Sequence, residues 1–102
     1  MHLVQVLVPV YDNDGQPFPA AEFRRIRQEL TTRFGGVTAY TRAPAEGTWE
    51  DDQGRIHHDD VAVVEVMVET LDREWWSGYR TELAARFRQT ELVMRATPME
   101  SL

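Results

Sequence analysis

The side chains best equipped for chemistry lie close together in residues 47–60, GTWEDDQGRIHHDD, which hold one tryptophan, two histidines and five acidic groups. Imidazole beside carboxylate suggests either a metal site or a proton-transferring pair. The spacing argues against the metal. On an extended strand His57 and His58 point to opposite faces, so one ion meets only His57 with Asp59, or His58 with Asp60. Two ligands do not close a site, and the chain has neither a cysteine nor two histidines at helical spacing to complete it. The residues DDQG at 51–54 read instead as a turn, with Gly54 taking the positive φ that closes it. The segment is therefore expected to be a β-hairpin arm at about 44–60, binding no metal. Trp49 on such an arm needs a surface to cover, on its own domain or on a partner. A second acidic turn, DNDG at 12–15, lacks the later acidic positions of a calcium loop and reads as a tight turn.

The elements that must position these residues show themselves as a repeat. RQELTTRFGGVTAYTRA (27–43) aligns without gaps on RTELAARFRQTELVMRA (80–96), an offset of 53. Upstream, Phe23, Ile26, Leu30 and Phe34 match Trp76, Tyr79, Leu83 and Phe87, each set spaced as one apolar stripe of a helix. Pro19 opens the first helix and Gly35 with Gly36 stops it; Asp72 caps the second. VQVLV (4–8) and VEVMV (64–68) alternate as strands do. Strands are expected near 3–10, 37–43, 61–69 and 91–96. The order β-α-β, twice, predicts an α+β domain of ferredoxin-like βαββαβ type over 1–102, a four-stranded antiparallel sheet with two helices on one face.

In that arrangement the valines at even positions face the helices, leaving Leu3, Gln5, Leu7, Val63, Glu65 and Met67 on the other face. A strand order 4-1-3-2 sets Arg95 beside Gln5 and Arg42 beside Glu65, with Tyr40 nearby. Gln5, Tyr40, Arg42, Glu65 and Arg95, together with Trp49 and His57 of the arm, are thus the candidate ligand-binding residues. An apolar sheet face of this kind invites a cover, and a second copy of the chain, forming a homodimer, is the economical one. The adjacent Trp75 and Trp76, followed by Gly78, offer a further small groove on the second helix.

Composition excludes several classes. A formal charge of −6 works against nucleic-acid phosphates and anionic membranes, and the basic residues are mostly arginines suited to specific anion pairing. No apolar run reaches the ~20 residues of a membrane span, and the N-terminus lacks the basic start of a signal peptide, so a cytoplasmic protein is expected. Nothing in the spacing assembles a Ser-His-Asp triad or a phosphate loop. No cofactor is expected, and catalytic residues stay unassigned.

The run RFGGVTAYTRAPAEGTW, the strand DDVAVVEVMVE and the helix WWSGYRTELAARFRQTEL resemble a group of small bacterial proteins of unknown function with a ferredoxin-like domain. The looser relatives that this resemblance implies, dimeric α+β barrels, include monooxygenases and isomerases. It supplies no catalytic residues. Two functions remain open: a homodimeric binding or interaction domain without catalysis of its own, or a small enzyme or metabolite sensor that takes an anionic or aromatic molecule on the open sheet face. In the second reading Arg42 clamps the anion and Glu65 or His57 accepts a proton.

Overall fold

Period-2 valines and period-3.6 aromatic stripes sort the chain into six elements in the computed structural model, which describes residues 1–102 except for the side chains of residues 42–44. They are β1 (His2–Pro9), α1 (Ala20–Phe34), β2 (Thr38–Glu50), β3 (Ile56–Val68), α2 (Arg73–Arg86) and β4 (Met94–Pro98). The strands form one antiparallel sheet in the order β2-β3-β1-β4. Val4, Val6 and Val8 of β1 and Val64, Val66 and Val68 of β3 are buried against Ile26, Leu30, Trp76, Tyr79, Leu83 and Phe87 of the helix side. This core removes a continuous apolar layer from water, which supplies most of the folding free energy.

The two helices keep the sequence offset, since 20 + 53 and 34 + 53 give 73 and 87, the start of α2 and the residue that caps it. Their ends are solved differently. The Asp72 side chain accepts from Trp75 N at 3.1 Å, whereas Pro19 at the corresponding place on α1 makes no side-chain cap. Gly35 ends α1 in the left-handed region at φ 85°, and Arg88, 53 residues on, takes the same region at φ 51°. A Cβ there is strained, and the position is held by Arg88 N donating to Ala85 O and Gln89 N to Ala84 O.

Two features depart from the plain ferredoxin-like expectation. Between Tyr40, opposite Val63, and Ala45, opposite Val61, the chain advances five residues on β2 but two on β3. This bulge divides β2 into two paired pieces, the second of which continues with β3 as the arm beyond the sheet. β4 begins at Met94, three residues later than the repeat implies; Leu92 is still buried, but outside the ladder. At the opposite edge His2 pairs with Pro98, and Met99 N donates to Met1 O at 3.0 Å. No helix is long and apolar enough to cross a membrane.

The acidic turns are near copies. In each, an aspartate accepts through Oδ1 from the amides two and four residues on, at 2.9 Å, and its carbonyl accepts from a glycine at φ 77°: Asp12 with Gly15, Asp51 with Gly54. The DNDG segment is thus a turn built on its own carboxylate.

Candidate functional site

Alternation along β1 and β3 places Leu3, Gln5 and Leu7 opposite Met67, Glu65 and Val63, all on the face away from the helices. Arg95 is the β4 partner of Gln5. Across these three strands runs a hydrogen-bonded row: Arg95 Nε donates to Gln5 Oε1 at 2.8 Å, and Gln5 Nε2 donates to Glu65 Oε1 at 2.8 Å. The two bonds fix the amide orientation of Gln5 and lock a cation and an anion at opposite ends of one neutral side chain. Around the row the surface is apolar, with Leu3, Leu7 and Val63 half-buried and Met67 and Tyr40 exposed by 59% and 52%. Tyr40 faces Val63, diagonal to Glu65 and so within reach of it for an aromatic side chain.

Arg42 is not the neighbour of Glu65. The bulge brings Thr38 opposite Glu65 instead, and the Arg42 side chain lies outside the described residues. The expected Arg42–Glu65 side-chain pair thus falls outside the described residues.

Trp49 and His57 form a second cluster at the end of the arm, on the same face by alternation. Their rings stack at 4.3 Å with an interplanar angle of 16°. Trp49 Nε1 donates to Asp59 Oδ2 at 2.6 Å, and His57 Nε2 lies 2.9 Å from Asp51 Oδ2. Hydrogen bonds from His57 and from the turn amides hold the Asp51 carboxyl below its ordinary value. Trp49 thus covers His57 of its own arm while staying 49% exposed. On the other face of the arm, His58 Nδ1 lies 3.4 Å from Glu46 Oε1 and 3.3 Å from Thr48 Oγ1. Among the described residues no three metal-ligating side chains converge. Eight residues of β3 separate His57 from Glu65, roughly 27 Å of strand at ~3.3–3.4 Å per residue, so arm and row are two places rather than one.

Trp75 and Trp76 do not open a groove between them. Trp75 stacks on Tyr79 at 5.0 Å and lies under the Arg33 guanidinium at 4.4 Å, while Trp76 stacks on Phe34 at 5.1 Å. These rings close the seam between α1 and α2. Further along it, Arg86 Nη1 and Nη2 donate to Glu29 Oε1 and Oε2 at 2.6 and 2.8 Å, and Nη2 also meets Glu82 Oε1 at 2.9 Å. The Tyr79 hydroxyl donates to Glu29 as well, and burial together with that carboxylate pushes its pKa up. Sequence reading missed this network; its only trace was the recurrence of Glu29 and Arg33 as Glu82 and Arg86.

No family model matches the chain, and no curated protein matches it. Solved structures do. The chain resembles a phage SAM lyase in fold. Against that lyase in complex with S-methyl-5'-thioadenosine the TM-score is 0.59 at 15% identity, covering 94% of this chain and 79% of the other. Against the lyase in its apo state the values are 0.59 and 14%, covering 94% and 78%. At such identity the likeness is one of backbone arrangement, and it transfers no residue roles.

Proposed function

We propose that this domain binds a small molecule on the open face of its sheet, and that the ligand carries an adenosine-like ring system and polar or charged groups. The observation that supports the reading is the Arg95–Gln5–Glu65 row, a fixed cation and anion set in an apolar surround. Flat rings lie well on Leu7, Val63 and the exposed Tyr40, while the carboxylate accepts from ligand hydroxyls or balances a positive charge. The phage lyase of similar fold was captured with S-methyl-5'-thioadenosine, which has this mixture of aromatic ring and hydroxyls. A second copy of the chain lying over the same face would turn the open surface into an enclosed one, as the exposed Tyr40 and Met67 favour.

Calorimetric titration of the purified protein with S-methyl-5'-thioadenosine and with SAM tests the proposal. Saturable binding is expected, weakened about tenfold or more in Glu65→Gln, since each 1.4 kcal/mol is a factor of ten and a bond to a charged group is worth ~1.5–3 kcal/mol. Absence of heat and of thermal stabilisation at roughly 1 mM of either compound would refute it.

A further inference from the structure

We propose that a groove on the helix side of β4, between that strand and α2, is a binding site for a small organic carboxylate with a compact apolar body. Arg73, Ser77 and Arg80 stand at i, i+4 and i+7 on α2 and form one wall of the groove. Leu71 and Met94, both half-buried, supply its apolar lining, with Arg95 at the β4 edge. None of the lining residues is acidic, although the chain as a whole carries a net charge of −6. An acid-free lining that carries two guanidinium groups, those of Arg73 and Arg80, on so acidic a protein favours anions.

Arg95 spends its Nε on Gln5 across the sheet, leaving Arg73 and Arg80 as the groups that meet the ligand. Among the described residues neither takes part in an ion pair. A planar guanidinium grips a carboxylate through two parallel bonds, so two of them above an apolar lining select that group on a small hydrophobic body. The groove's volume, about 220 Å³, lies below the roughly 300–1,000 Å³ of sites for larger ligands, which limits the body to one ring or a short branched chain.

Trp76 gives the groove a spectroscopic reporter. Trp76, another wall of the groove, is 5% exposed, and its indole N–H has no hydrogen-bond partner among the described residues. Buried donors of this kind are rare because leaving them unpaired is costly. That N–H is itself closed to solvent, so its resonance reports a ligand against the ring without being bonded by it. The groove lies on the opposite side of the sheet from the Arg95–Gln5–Glu65 row, so the two sites stand or fall separately.

The test uses the three indole N–H resonances of the protein, from Trp49, Trp75 and Trp76, with benzoate as the probe and benzamide as its uncharged isostere. Benzoate should shift the Trp76 resonance saturably and leave that of Trp49, bonded to Asp59 on the arm, in place. Benzamide should bind about tenfold more weakly, and the double variant Arg73→Gln/Arg80→Gln should lose the preference for benzoate to a similar degree. Both arginines are exposed, so the variant's spectrum should show a retained fold. Equal responses to benzoate and benzamide, an undiminished response in the double variant, or a motionless Trp76 resonance at roughly 20 mM benzoate, far above a millimolar dissociation constant, would each overturn the proposal.

Discussion

Replacing Glu29 with glutamine measures how far the helix seam depends on charge. The side chains of Arg86 and Glu29 are 11% and 33% exposed, which places the pair between a surface salt bridge and a buried one. Exposed pairs contribute ~0–1 kcal/mol, and removing one partner of a fully buried pair costs ~3–5 kcal/mol. Glutamine keeps the volume and one acceptor, and Glu82 still meets Arg86, so the loss at neutral pH should be about 1–2 kcal/mol. The pH dependence sharpens the test. The hydrogen bonds from Arg86 hold the Glu29 carboxyl below its ordinary value of 4.5, so its folded-state pKa lies under its unfolded one. Its contribution is therefore complete above the ordinary value and is lost as pH falls through the lower, folded-state value. Urea unfolding of wild type and Glu29→Gln should show the full difference at pH 7 and a narrowing one as the solution is acidified below pH 4.5. Equal stability at pH 7, or a difference that widens in acid, would show that the charge of Glu29 does not hold the seam.

Two other outcomes are expected. Arg88→Gly relieves a left-handed residue that carries a Cβ, so it should stabilise the protein by up to ~1 kcal/mol despite losing the exposed contact of Arg88 with Asp12 at 3.4 Å; a loss above ~1 kcal/mol in thermal unfolding would count against strain at that position. In sedimentation at roughly 50 μM the chain should run as a dimer that Met67→Glu dissociates, because a new carboxylate at the covered face would be desolvated without a partner; a wild-type monomer at that concentration would refute the cover.

Local periodicity made most of the architecture legible. The stripe Phe23, Ile26, Leu30, Phe34 and its counterpart 53 residues later face the sheet because helix geometry allows nothing else to bury them together. Counting in twos along the strands was enough to set Arg95 beside Gln5 and to place Glu65 on the same face. The same counting did not set Thr38 opposite Glu65, because a bulge adds residues to one strand and leaves no mark in the alternation on either side of it. The role of Trp75 was hidden for another reason. Its neighbours Arg33 and Phe34 belong to the other helix, and such a contact depends on how two elements dock rather than on the pattern of either. The Trp49–His57 stack and the Asp51–His57 contact lay within one hairpin, yet the ring orientations that create them follow from side-chain rotamers.

The bond between Met99 and Met1 brings the first and last strands side by side at one edge, far along the chain from the hairpin turn at Asp51 and Gly54. A short linker between residues 99 and 1, with the chain reopened inside that turn, would preserve every strand pairing while exchanging the order of the two β-α-β halves. The permuted polypeptide would begin with the half that carries α2 and end with the half that carries α1, separating the contribution of chain connectivity from that of the packed sheet. Segments fused to either natural terminus would emerge together beside β4, leaving the arm and its exposed Trp49 unobstructed.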